Sequence, residues 1–101
     1  MPKLYEYLGI VIFFYSNEHQ PVHVHARYQG QESKIEIIIQ NGKIEDFTIK
    51  EVKGKVPLAN KQLKDFKELV YLLADEIVQS WINYFIYHKK IVPKKIQGKL
   101  K

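Results

Sequence analysis

The hydrophobic period of this chain changes once, near Pro57, and that change dictates its class. Before it, apolar residues come in continuous or alternating runs rich in Val, Ile, Phe and Tyr, broken by Gln29-Gly30 and Asn41-Gly42. Runs of this kind between two-residue turn signals read as antiparallel strands. Beyond it, Leu63, Phe66, Val70, Leu73, Ile77, Trp81 and Tyr84 recur at spacings of three and four, the period of an amphipathic helix. The expected class is α+β: an antiparallel β-meander of about four strands over residues 9–51, packed against one long or two C-terminal helices over residues 58–88. A basic tail, 89–101, completes one domain spanning 1–101.

The register of the strands is open to arithmetic. Residues 2–8 read as a lead-in, Gly9–Tyr15 as a central strand buried on both faces, and Ser16–Pro21 as a polar turn. Val22–Tyr28, Gln31–Ile39 and Lys43–Glu51 are the next three strands. A two-residue loop at Gln29-Gly30 sets His23 opposite Glu36, His25 opposite Lys34 and Arg27 opposite Glu32. The opposite face then carries Val24, Ala26, Ile35 and Ile37, where the helices should pack. The histidine face is polar and is expected to stay at least partly open. At Asn41-Gly42 a two-residue loop would pair Ile37 with Asp46 and turn Phe47 to the polar face; a three-residue loop with a G1 bulge, pairing Ile35 with Phe47, is preferred. Asn60 reads as the N-cap of the helical segment. A straight helix of about 28 residues would be about 42 Å long, too long for so small a domain, so a break near Ala74-Asp75 is expected.

Chemistry concentrates in one stretch, Ser16 to Tyr28. Three of the four histidines, His19, His23 and His25, fall within seven residues. His23, His25 and Arg27 alternate along a strand and so share a face. His19 precedes Pro21 in a turn that would bring it over the same end of the strand. Beside a protein-binding surface, three readings stay open. One is a metal site with His19, His23 and His25 as ligands and Glu18 or Glu36 as a further ligand or orienting group. Another is metal-free acid–base chemistry of the ribonuclease kind, with Arg27, Lys34 and Tyr28 beside the imidazoles. The third is structural: the histidines and Asn17 bond the loop and hairpin backbone and fix the turn at Pro21. A cofactor is not identified by these residues. His88 reads as an ordinary helix-end histidine.

Charge and composition narrow the partners. The net charge is +5, yet Lys89, Lys90, Lys94, Lys95, Lys99 and Lys101 stand in the last 13 residues with no acid among them. The tail reads as a solvated C-terminus or as an arm for RNA, DNA or an acidic partner protein, with Lys94 and Lys95 as candidate binding residues. Only one of the 16 basic residues is arginine, which argues against base-edge reading of DNA. No cysteine is present, which excludes disulfides, thiolate zinc sites and a cysteine nucleophile and fits a reducing cytoplasm. The apolar run at Ile10–Tyr15 is too short for a membrane span. The helix stripe reads as core, with self-association or partner docking as the alternative.

The stretch Asn17-Glu18-His19 followed by Pro21, His23, His25 and Tyr28 resembles a family of small prokaryotic proteins, the domain of unknown function numbered 4160. Met1-Pro2, Gly9-Ile10-Val11-Ile12, Val56-Pro57, Leu63 to Trp81 and Pro93 to Ile96 match further parts of its pattern. The resemblance implies a small cytoplasmic protein, similar to the DhiT-like toxins of two-gene toxin–antitoxin pairs. Its partner would be a small antitoxin encoded nearby and its functional histidines His19, His23 and His25; action on RNA comes from the acid–base reading of the residues, not from the resemblance. Family helices place Trp, His and Asn where this chain has Leu69, Leu73 and Ser80. If that helical His belongs to the active set, this chain lacks it.

Overall fold

A computed structural model describes residues 2–17 and 21–100. The elements in chain order are β1 (Lys3–Tyr7), β2 (Ile10–Phe13), β3 (His23–Tyr28), β4 (Gln31–Gln40), β5 (Lys43–Glu51), α1 (Asn60–Leu72), α2 (Ala74–Phe85) and β6 (Lys94–Ile96). The fold is α+β, and among the described residues the sheet has six strands rather than four, ordered β5-β4-β3-β2-β1-β6. All neighbours are antiparallel except β1 and β6, which run parallel.

The two extra strands come from segments with weak local signals. The lead-in forms β1 because Leu8 and Gly9, both at positive φ, turn the chain back on itself. Gly9 belongs there: at φ +81° a side chain would be strained, and a Cβ would meet the Tyr28 ring at 3.2 Å. The expected basic tail is not a loose end either. Its Lys94–Ile96 segment adds to the β1 edge, Lys94 pairs with Glu76 at 2.9 Å, and Leu100 N–H donates to the Tyr7 hydroxyl at 2.9 Å. Pairing of an edge strand and burial of Leu4, Tyr5 and Tyr7 outweigh the repulsion among its lysines.

The β3–β4 register is the expected one: His23 faces Glu36, His25 faces Lys34 and Arg27 faces Glu32. The β4–β5 hairpin differs from expectation. Its loop is two residues, with Asn41 and Gly42 both at positive φ, and Gln40 faces Lys43. The irregularity lies two residues further along, where Ile38 faces Asp46 while Ile39 faces Ile44, leaving Glu45 extra. Phe47 thereby pairs with Ile37, not Ile35, and still reaches the core face. Burying Phe47 required a bulge; the turn type Asn-Gly prefers moved that bulge into β5.

Both helices pack on the face carrying Ile12, Val24, Ile35 and Ile37, where Phe66, Leu69, Val70, Ile77 and Trp81 join one hydrophobic cluster. The helical segment breaks at Leu73, whose φ −111° and ψ 20° end α1 without Gly or Pro. Asp75 and Glu76 occupy the first turn of α2, where carboxylates favour a helix start. Asn60 is the first residue of α1 and not its cap; Ala59 holds that position and no side chain caps it.

Candidate functional site

The far face of the sheet was expected to be open at the histidines and is closed there. Phe13, His25 and Glu32 are 0%, 3% and 1% exposed, although the helices lie on the other side. Their cover is local. The Arg27 guanidinium lies over the Phe13 ring at 5.0 Å, and the Tyr15 ring stands edge-on to His25 at 4.6 Å. Farther along the face Lys34 and Glu36 are half-buried, and Lys50 reaches Glu36 at 3.5 Å.

Glu32 is the hub. The β3–β4 pairing sets it opposite Arg27, and its own N–H donates to Val56 O at 2.9 Å, where the chain leaving β5 runs beside β4. Its carboxylate accepts from the Tyr15 hydroxyl at 2.8 Å and from His25 Nδ1 at 3.1 Å. Arg27 Nε and Nη2 each donate to the other oxygen at 3.3 Å. A buried carboxylate needs such partners, because desolvation of an unpaired charge costs several kcal/mol, on the order of 3–5. Burial and the bond to Glu32 push the Tyr15 phenol up, and nearby Arg27 only partly offsets them.

The hydrogen bonds also define the imidazoles. A carboxylate accepts only, so His25 donates from Nδ1 and, when neutral, presents Nε2 as its acceptor nitrogen. His23 donates from Nδ1 to Pro21 O at 2.8 Å, with the same consequence. The His23 ring sits 5.4 Å from both the His25 ring and the Trp81 indole, and so joins the far face to α2.

Of the residues expected at the site, His23, His25 and Arg27 come together. Asn17 is exposed in the turn after Tyr15. Tyr28 lies on the core face against the helices' cluster, not beside the histidines. Lys94 and Lys95 stand on β6, at the far edge of the sheet with β2 and β1 between them and β3, and Lys94 is committed to Glu76. His19 and Glu18 lie outside the described residues. Glu32, Tyr15 and Trp81 were not anticipated as members of the site. Register arithmetic had placed Glu32 opposite Arg27, and a long side chain reaches the diagonal neighbour, here His25; that was the available signal. Glu36, one of two carboxylates considered as a partner, pairs with Lys50 instead.

Among the described residues, no group of three or more His, Cys, Asp or Glu is arranged to hold a metal ion. No helix among them is long and apolar enough to cross a membrane. No curated protein and no solved structure matches the chain. The family model of a domain of unknown function, DUF4160, matches residues 9–82, which hold β2 to β5, the whole histidine stretch and the helices through Ile82. The chain therefore belongs to the DUF4160 family.

Proposed function

We propose that this chain is the toxin-like component of a toxin–antitoxin pair and acts on RNA by metal-independent acid–base chemistry. The observation that carries the reading is the contact between Glu32 and His25 Nδ1, backed by Arg27. A carboxylate that holds one imidazole nitrogen as a donor defines the other as the proton acceptor. His25 then takes the proton of a ribose 2′-hydroxyl as its oxygen attacks the adjacent phosphorus. His23 enters this step as the imidazolium and gives its Nε2 proton to the departing 5′-oxygen, and the products are a 2′,3′-cyclic phosphate and a 5′-hydroxyl. The Arg27 side chain, 40% exposed, faces the charge that builds on phosphorus. Access to His25 requires the Tyr15 ring to swing aside. A small antitoxin would bind over this face.

The burial of His25 favours a second reading, a non-catalytic binding domain in which the same network only holds the turn. Controlled induction of the native chain separates the two, beside a variant with His19, His23 and His25 all changed to Ala and shown by circular dichroism to be folded. Growth arrest by the native chain alone, with cellular RNA gaining 2′,3′-cyclic phosphate ends, is the expected result. Equal arrest by both, or none from soluble native protein, would overturn it.

A further inference from the structure

Beyond the histidines, α2 ends in a pocket of about 340 Å³ lined by Ser16, Tyr84, Phe85, His88, Lys89 and Lys90. That volume is within the range of small-ligand sites, roughly 300–1,000 Å³. Its walls combine two aromatic rings, two lysines and an imidazole, and no acidic side chain is among these described residues. The neighbouring cavity between α2 and β6 is different: there Glu76 accepts from Tyr5 at 2.8 Å and from Lys94 at 2.9 Å, so an anion would meet a carboxylate.

The pocket is built rather than frayed. Past the helix, Tyr87 N–H donates to Ile82 O at 3.2 Å and Lys89 N–H donates to Asn83 O at 2.9 Å. His88 between them sits at φ +55°. The other non-glycine residues at positive φ among those described, Leu8, Gln29 and Asn41, all lie in two-residue hairpin turns followed by glycine. A non-glycine residue held there carries strain, which persists where the surroundings enforce it. A helix C-terminus disfavours anions, and Lys89 and Lys90 reverse that local sign.

Ring contacts also link the wall of the pocket to the histidines. Ser16 belongs to the turn that leads toward them. Tyr84 meets Phe85 at 4.9 Å, Phe85 meets Trp81 at 4.3 Å, and Trp81 meets His23 at 5.4 Å. We propose that this pocket is a nucleotide subsite for single-stranded RNA, in which Lys89 and Lys90 hold a phosphate and Tyr84 and Phe85 present the aromatic surface for a base. Cations tracking the backbone beside a sequence-tolerant aromatic platform are the means by which single strands are held. This inference rests on the reading of the histidine site as one that acts on RNA.

The test is binding of a labelled single-stranded oligonucleotide in 2′-deoxy form, so that no 2′-oxygen can attack. Fluorescence anisotropy would compare the native chain with Lys89→Glu/Lys90→Glu and with the charge-matched Lys43→Glu/Lys53→Glu. The first pair should weaken binding about tenfold or more and lower the salt slope by ~0.7, the change for one phosphate no longer neutralised. The second should change affinity less than about threefold. No binding by native protein, or equal loss in both pairs, would overturn the subsite. His25-dependent RNA cleavage with binding unchanged in Lys89→Glu/Lys90→Glu would refute the subsite and spare the acid–base reading. Selective loss of binding without any His25-dependent cleavage would do the opposite.

Discussion

Removing either half of the Arg27–Glu32 pair should not cost the same. Arg27→Met keeps an apolar stem over Phe13 but leaves the Glu32 carboxylate, 1% exposed, held by the Tyr15 hydroxyl and His25 without its guanidinium partner. An uncompensated charge left buried costs about 3–5 kcal/mol. Glu32→Gln leaves a guanidinium whose side chain is 40% exposed, so water can solvate it. The loss is then the charged character of its hydrogen bonds and the one acceptor oxygen that the amide NH2 replaces, about 1–3 kcal/mol. The double variant has no stranded charge and should recover about 1–3 kcal/mol relative to the sum. Urea unfolding followed by far-ultraviolet circular dichroism measures all four proteins. If Glu32→Gln proves as costly as Arg27→Met, or if the two effects add within about 0.5 kcal/mol, the claim that Arg27 neutralises a buried carboxylate fails.

Two further outcomes are expected. Leu8 occupies a left-handed turn position at φ +52° and is substantially exposed, so Leu8→Asn should stabilise the fold by about 0.5–1 kcal/mol; a lower thermal midpoint would contradict the turn assignment. Burial and carboxylate hydrogen bonds raise the phenols of Tyr5 and Tyr15, through Glu76 and Glu32 respectively. A raised folded pKa contributes stability that is complete below the unfolded tyrosine value, about 10, and is lost as pH climbs through the folded one. Spectrophotometric titration should therefore show these two ionising last and together with unfolding, and ionisation of all seven tyrosines on one ordinary curve with the fold intact would rule this out.

By itself the sequence determined what depends on local period and turn chemistry. The switch at Pro57 separated sheet from helices, Gln29-Gly30 set His23, His25 and Arg27 opposite Glu36, Lys34 and Glu32, and burial of Val24, Ile35 and Ile37 on one face followed from alternation. The outer strands were decided elsewhere. Lys3–Tyr7 and Lys94–Ile96 lie about 90 residues apart in sequence, and neither carries a strong strand signal. They pair because each offers the other a sheet edge, which is a property of the assembled fold. The existence of the β5 bulge, though not its position, likewise came from the need to turn Phe47 toward α1, where it meets Tyr71 at 4.7 Å. The site shows the same division. Alternation was enough to align His25 with Arg27. That Glu32 turns diagonally to bond both, that Tyr15 folds over His25, and that Trp81 reaches His23 from a helix depend on contacts across three strands and a helix. Side-chain reach and burial in three dimensions decide such contacts, and no local pattern encodes them.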